Sequence, residues 1–240
     1  MTEPIQTNHI RQLPDMEVAE LYIYGASGHG KVVAEVALVS GHHVYGFIDD
    51  NQYSIDKHVL GLPVFGGFEW MSKRAQQTKL AVCLGIGDNH ARQRVAQHCR
   101  ELNIPLITLV HPSAIVSSSA FIGNGTVLMA RVVVNADAEI GDGVILNTGV
   151  IVEHDCKIGD YAHLSPNSVM GGASSLGMMS WLGMGAAIIH CVSVGIGCVV
   201  GAGAVVIKDL PDTVVAMGVP ARICHRAISS EESTKNDNIN

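Results

Sequence analysis

Residues 140–164 read IGDGVILNTGVIVEHDCKIGDYAHL. Aliphatic side chains recur at Ile140, Leu146, Val152, Ile158 and Leu164, every sixth residue. Followed outward, the register runs from Val110 to Val206 without a slip, through Val116, Ile122, Leu128, Val134, Met170, Leu176, Leu182, Ile188, Val194 and Val200. Four residues after each stands a mostly small residue, such as Ala120, Thr126, Cys156, Ala162, Ser168 or Ala204, and glycine often follows the aliphatic directly, as at Gly141, Gly159 and Gly177. Aliphatics make up roughly a third of an ordinary composition, so chance does not produce such a run. Sandwich strands would alternate with period two between closely spaced turns. Period six is instead the signature of a parallel β-helix. Each unit is a short strand and a bend, the aliphatic fills the interior, the small residue lets the chain turn in a narrow prism, and coils stack at about 4.8 Å.

Upstream the pattern differs. ELYIYG, HVYGFIDD, LAVCLGIGD and LITLV read as strands, separated by the helical patterns GKVVAEVALVSG and NHARQRVAQHCRELNI, the latter with its basic and polar positions expected outside. Strand–helix alternation implies a small parallel α/β sheet carrying helices. The expected organisation is a flexible extension (1–19), a Rossmann-like domain (20–109), the β-helix (110–210), a C-terminal segment (211–228) and a disordered tail (229–240).

The whole-chain balance closes several alternatives. A net charge of −7 offers no basic face for nucleic acid. No apolar run reaches the roughly 18 residues of a membrane span, so no membrane insertion is expected. The start, MTEPIQTNHIRQLPDMEVAE, lacks the basic and apolar regions of a secretory signal. A cytoplasmic location is the expectation, and Cys83, Cys99, Cys156, Cys191, Cys198 and Cys224 then read as reduced small hydrophobes.

GASGHG (25–30), FIDD (47–50), HPSAIVSSSAFIGNG (111–125), the segment 145–166 and MGVPAR (217–222) carry a resemblance in combination. The chain resembles the sialic-acid O-acetyltransferase and bacterial nucleotide-aminosugar N-acetyltransferase family of left-handed β-helix acyltransferases, over about residues 20–225. The resemblance implies the left hand, a homotrimer with active sites between subunits, acetyl-CoA as co-substrate, and a nucleotide-linked sugar as acceptor.

Gly25, Gly28 and Gly30 form G-x-x-G-x-G between a strand and a helix starting near Gly30, which differs from the dinucleotide fingerprint. Glycines still allow backbone to approach a ligand, and a helix N-terminus suits an anion. Asp49 and Asp50 end the next strand, where a carboxylate can accept from ribose or base. The resemblance implies that His29, Asp49 and Asp50 contact the nucleotide, with Gly28 and Gly30 beside them.

Moving acetyl from a thioester to an amine requires a base titrating near neutrality and donors for an oxyanion. His154 follows the interior Val152 by two places and so projects outward at a bend, beside Asp155. Alone, such a histidine is ordinarily a surface or capping residue. The resemblance implies instead that His154 is the general base with the next acid, Asp155, assisting; Glu153 remains an alternative partner. It also implies acetyl-CoA contacts at His163, Met184, Gly218, Pro220 and Arg222. Gly171 and Gly172 interrupt the side-chain surface, so the pantetheine arm is expected to run along bare backbone at Gly172, with a backbone N–H there as oxyanion donor. Cys156 is expected to point inward, which favours direct transfer.

Trimeric β-helix carbonic anhydrases bind zinc through three histidines, and His190 lies 36 residues after His154. Two coils are about 10 Å, too far for one zinc with ligands near 2.0–2.1 Å, so no metal is expected. The expected function is N-acetylation of a UDP-linked 4-amino-4,6-dideoxy sugar in bacterial surface-glycan or glycoprotein biosynthesis. O-acetylation of a sialic acid or related sugar hydroxyl is the alternative, and a non-catalytic or γ-carbonic-anhydrase-like β-helix trimer the remote one.

Overall fold

Every aliphatic of the six-residue register ends a two-residue strand in the computed structural model, which describes residues 19–226. The expected extension before Ala19 and the tail at 229–240 lie outside the described residues. Strands pair in parallel with a shift of 18 residues, as in Val133 with Ile151 and Ile145 with His163, so one coil is three hexapeptides. All the register aliphatics except Val110 and Val116, at the open end, are buried. The residues four places on, from Ala120 to Ala204, are buried too. The bend itself is made one residue earlier, in the left-handed region: Arg131, Asp137, Asp155, Tyr161, Asn167, Ala173, Met179 and Cys191 all have φ between 55 and 62°. The glycines directly after the aliphatics serve close stacking, since a Cβ on Gly123, Gly159 or Gly177 would collide with backbone of the next coil.

The prism has three faces, and their outward residues differ. The first face presents Leu109, Val127, Ile145, His163, Trp181 and Val199; the first four are buried. The second presents Ile115, Val133, Ile151, Val169, Ala187 and Val205, an apolar column along its whole length. The third presents Phe121, Glu139, Lys157, Ser175 and Ser193, with Lys157 3.3 Å from Glu139.

What buries the first face is the α/β unit. It comprises β1 (Glu20–Tyr24), α1 (Gly28–Val39), β2 (Val44–Ile48), β3 (His58–Val59), β4 (Leu62–Phe65), α2 (Phe68–Ala75), β5 (Leu80–Leu84) and α3 (Asn89–Glu101). The sheet order is β3-β4-β2-β1-β5. Alternate residues of β1 face opposite layers: Leu21 and Ile23 join α1 in a core continuous with the β-helix, while Tyr22 and Tyr24 meet Met71 of α2 and Val95, Ala96 and Cys99 of α3. The strand β3 is antiparallel, a departure from the all-parallel expectation, because Leu60 and Gly61 close a tight hairpin with positive φ. LITLV is not a sheet strand: Leu106 makes one bridge to Val82, and Leu109–Val110 already belongs to the first coil. Beyond Val206, Val214–Met217 extends the first face and pairs antiparallel with Arg222–Arg226.

Candidate active site

Adjacent strands β2, β1 and β5 release their loops at one end, where open α/β sheets bind ligands. Gly25, with φ of 108°, turns the chain there, and a Cβ on it would lie 2.6 Å from the Gly85 carbonyl oxygen. A Cβ on Gly30 would collide with the Gly25 carbonyl, so the turn and the first helical turn need glycine for contact. The helix begins at Gly28, two residues before the expected start, because Ser27 takes the N-cap position; its side chain caps nothing. Asp49 is occupied locally, accepting from the Ala26 N–H (2.7 Å) and the Asn51 N–H (2.8 Å). Asp50 accepts from the Tyr24 hydroxyl (2.9 Å) and the Phe68 N–H (3.3 Å), which fastens α2 to the strand end. Each carboxylate keeps lone pairs beyond these bonds.

His29 points from the first turn of α1 toward the β-helix, its ring centroid 6.2 Å from that of His163. His163 is 7% exposed and stacks on Trp181 at 5.1 Å. Among the described residues neither Nε2 of His29 nor Nδ1 of His163 finds a hydrogen-bond partner. Burial, then the nearby Arg92 guanidinium, pushes His29 down to about 4. The same causes in the same order, with His29 as a third, push His163 down to about 4, opposed by the Gly87 carbonyl. Both imidazoles are neutral at pH 7.

Arg92 corrects the expectation that α3 keeps its basic positions outside. It is 0% exposed, and Asn89, one turn earlier, is also buried. The first turn of the helix abuts a corner of the β-helix, where Asn89 and Arg92 meet backbone carbonyls, which only donors can satisfy.

His154 sits at the corner between the second and third faces, the corner opposite the face that the α/β unit covers. It is exposed, and Nδ1 lies 2.7 Å from Oδ2 of Asp155. The Asp155 hydrogen bond, weakened by slight desolvation and reinforced by the charges of Asp155 and Glu153, raises the imidazole above its ordinary pKa. Glu153 is held by the Asn135 amide at 2.9 Å, so Asp155 is the ring's partner. The ring lies over the next coil at Gly172, where a Cβ would be 2.6 Å from Nε2. Cys156 is buried with Sγ 3.2 Å from the Gly171 carbonyl, inward as expected. Burial raises its thiol pKa, against the hydrogen bond from Ser174.

The remaining residues are dispersed. Met184 is exposed at the corner between the first and second faces. Gly218, Pro220 and Arg222 are exposed at the C-terminal end, Gly218 turning with φ of 97°. One chain therefore joins His154, Asp155 and Gly172, and separately His29 and His163, but not the two groups. A groove of about 360 Å³ runs between α1 and the β-helix, lined by Val32, Glu35, Val39, His111, Ala130 and Thr148. A larger hollow of about 570 Å³ lies under the amino ends of β1 and β5, at the other end from the glycine turn. Among the described residues no three His, Cys, Asp or Glu side chains are grouped to share a metal ion, and no helix is long and apolar enough to cross a membrane.

The PglD N-terminal domain family matches residues 20–99, and the bacterial transferase hexapeptide family (six repeats) matches residues 139–172. PerB from Caulobacter crescentus, solved with CoA and GDP-perosamine, is 42% identical, with a TM-score of 0.81 over 86% of this chain and 97% of that one. The acetyltransferase domain of PglB from Neisseria gonorrhoeae, solved with acetyl coenzyme A, is 36% identical, with a TM-score of 0.79 over 85% of this chain and 98% of that one. UDP-N-acetylbacillosamine N-acetyltransferase of Bacillus subtilis is 39% identical over 117 residues, 45% of this chain and 50% of that protein, so the match spans half its length. A Rossmann-like unit leads into the parallel coils of a left-handed β-helix, and the chain belongs to the nucleotide-aminosugar N-acetyltransferase family of hexapeptide-repeat acyltransferases.

Proposed function

We propose that this protein transfers acetyl from acetyl-CoA directly to the amino group of a nucleotide-linked 4-amino-4,6-dideoxy sugar, with His154 as general base. The observation that carries the reading is the His154–Asp155 pair, exposed over the bare backbone of Gly172. Asp155 accepts from Nδ1–H, which fixes the tautomer and leaves the Nε2 lone pair for the proton. The sugar nitrogen attacks the thioester carbonyl, Nε2 takes the ammonium proton, and the C–S bond breaks as the tetrahedral oxyanion collapses. CoA leaves as thiolate and is protonated. The Gly171 N–H is already donated to the Ile188 carbonyl, which makes the Gly172 N–H our oxyanion donor. Asp155 holds the ring and stabilises its protonated form.

The nucleotide sugar is assigned to residues 20–109, its diphosphate at the start of α1 beside Gly28, His29 and Gly30, and its nucleoside toward Asp49 and Asp50. Residues 110–210 carry the transfer, and 211–228 close over CoA, with His163, Met184, Gly218, Pro220 and Arg222 as its further contacts. Because His154 stands at the corner opposite the α/β unit, a complete site takes His154 from a neighbouring subunit. The apolar second face supports a homotrimer, since a solvent-facing column of that length is an association surface. We assign the activity to the cytoplasm and to surface-glycan or glycoprotein biosynthesis.

UDP is the nucleotide of the first reading. GDP is a second, favoured by PerB, which matches nearly along its whole length and is bound to GDP-perosamine. The test is CoA thiol release from acetyl-CoA with UDP-, GDP- and dTDP-linked 4-amino-4,6-dideoxy sugars and sialic acid, with His154→Ala alongside. Release with one amino sugar, reduced by orders of magnitude in the variant, supports the reading and names the nucleotide. Release only with sialic acid moves the enzyme to O-acetylation, and an unaffected variant removes His154 as the base.

A further inference from the structure

Arg92 is among the largest fully buried side chains, and no carboxylate forms an ion pair with it among the described residues. Its donors go almost entirely to backbone. Nε donates to the Gly143 carbonyl at 2.7 Å; Nη1 donates to Ile86 (3.1 Å) and Gly87 (3.0 Å). Nη2 reaches Tyr161 (2.6 Å), Ala162 (3.3 Å) and Oδ1 of Asn89 (2.9 Å). Asn89 turns its own amide to the carbonyls of Met179 (2.9 Å) and Ser180 (3.4 Å).

These acceptors form an ordered set. Gly143, Tyr161 and Met179 are 18 residues apart, the same corner of three successive coils. Coil stacking uses the carbonyls of Asp142 and Asp160, for the N–H groups of Tyr161 and Met179, and not those of the three corner residues. The two side chains thus read one column of spare carbonyls. The other end of the fork holds Ile86 and Gly87, the loop that follows β5. That loop packs on the nucleotide end: Gly85 lies against Gly25 and Gly30, where a Cβ on Gly85 would be 3.0 Å from the Gly30 Cα. On its β-helix side it meets His163, which faces His29.

We infer that Arg92, seconded by Asn89, is the positioning residue that sets the glycine-rich nucleotide end at a fixed place on the β-helix, and so aims the acceptor sugar. It touches neither acetyl-CoA nor the reacting atoms; it acts through the loop Gly85–Asp88. A fork is required, because five N–H groups must reach two loop carbonyls on one side and two coils on the other. Lysine has three donors on one atom and cannot span them. A stabilising plug would be served as well by apolar packing, since buried charges are often replaced without loss of stability. The selection of a planar fork therefore points to geometry. Burial, with the guanidinium charge second, keeps both histidines neutral, so that the junction does not fill with repelling cations.

This inference rests on the reading of the α/β unit as the nucleotide-sugar end, and the test separates the two. In Arg92→Lys the KM for the amino sugar accepted by the unsubstituted enzyme, with GDP-perosamine and the UDP-linked 4-amino-4,6-dideoxy sugar both assayed, rises about tenfold or more, while the KM for acetyl-CoA stays within about twofold. Amide hydrogen exchange, measured without ligand, accelerates at residues 85–88 and 28–30 and is unchanged in the coils beyond residue 187. In ¹³C-labelled histidine spectra of Arg92→Met, His29 and His163 titrate at higher pH than in the parent protein. Equal changes in both KM values, or a lower melting temperature with unchanged exchange at 85–88, would overturn the inference. If the unsubstituted enzyme accepts neither sugar, the functional reading fails, and the exchange experiment alone decides the role of Arg92.

Discussion

Gly172→Ala isolates the geometry on which the mechanism depends. Gly172 has no positive φ, so alanine is free to adopt its backbone conformation. The new Cβ would stand 2.6 Å from Nε2, 2.7 Å from Cε1 and 3.2 Å from Cδ2 of His154. Ordinary contact begins near 3.4 Å, so the ring must retreat by about 0.8 Å. Because Nδ1 is 2.7 Å from Asp155, a retreat of that size breaks the bond or swings the ring away from the substrate. General-base catalysis contributes about 10²- to 10⁴-fold, and misplacement by 1 Å costs about 10². The expected kcat is therefore lower by about 10²-fold, roughly 2.7 kcal/mol of barrier. Stability should hardly change: the displaced ring is exposed, and losing a glycine restricts the unfolded chain by about 0.4–1 kcal/mol in the protein's favour. Thiol-release kinetics at saturating acetyl-CoA give kcat, and calorimetry gives the melting temperature. Combined with His154→Ala, the second substitution should lower kcat no further if Gly172 acts through the ring. A Gly172→Ala enzyme with kcat within about threefold of the parent would refute the placement of the working imidazole over that glycine.

Asp155→Asn removes the charge that favours protonated His154; the limb of kcat/KM, which rises with pH as the base loses its proton, should shift to lower pH, and an unmoved limb in a pH–rate profile would exclude the pair. Val133→Glu with Val169→Glu places charges on the apolar second face and should yield monomers by light scattering that have lost transfer although His154 is intact; active monomers would contradict a shared site. Cys156→Ala should keep kcat within a few-fold, and Cys156 should resist iodoacetamide where exposed Cys191 and Cys224 react; loss of transfer with normal folding would favour an acetyl-cysteine intermediate. His29 and His163, near 4 when folded, bind fewer protons than the unfolded chain between about pH 6.5 and 4, so stability falls as pH drops through that window, on the order of 3 kcal/mol each. A flat denaturation midpoint across it would mean that the two rings are not buried neutral.

The coils were legible because one interior position repeats every six residues and tolerates only aliphatics, from Val110 to Val206. The bends were not read correctly. Small residues after the bend, such as Cys156 and Ala162, suggest that they make it, whereas the turning residue is the one before, Asp155 or Tyr161, in a left-handed conformation that no single residue type marks. His154 and Asp155 were legible as a pair, because both stand in one bend. Arg92 was not: its partners are carbonyls from residues 86 to 162, and carbonyls have no sequence signature. On a helix whose charged residues are nearly all basic, as in NHARQRVAQHCRE, arginine is ordinarily a solvated residue. The joining of His29 to His163 was missed for the same reason, since 134 positions separate them and neither makes a bond that a local pattern would reveal.

The dyad is a consequence of the scaffold's own bend. Each corner from Gly125 to Gly203 holds one residue with φ between 55 and 72°, and for a residue with a side chain this conformation costs about 1–2 kcal/mol, least for Asn and Asp. Glycine meets the need without strain at Gly143, Gly149 and Gly185. At the corner beside His154 the residue is Asp155, with φ of 57°, and the left-handed turn folds its carboxylate back onto the preceding ring at 2.7 Å. In regular strand or helix, neighbouring side chains point apart and do not meet. A histidine–aspartate pair adjacent in sequence is thus usable here because the hexapeptide bend reverses the chain between them. One coil below, the equivalent positions are Ala136 and Asp137; one coil above, Gly172 and Ala173. The upper pair lacks any side chain over the ring and the lower pair lacks a base, so the repeated bend becomes a proton acceptor at this coil of the column and not at its neighbours.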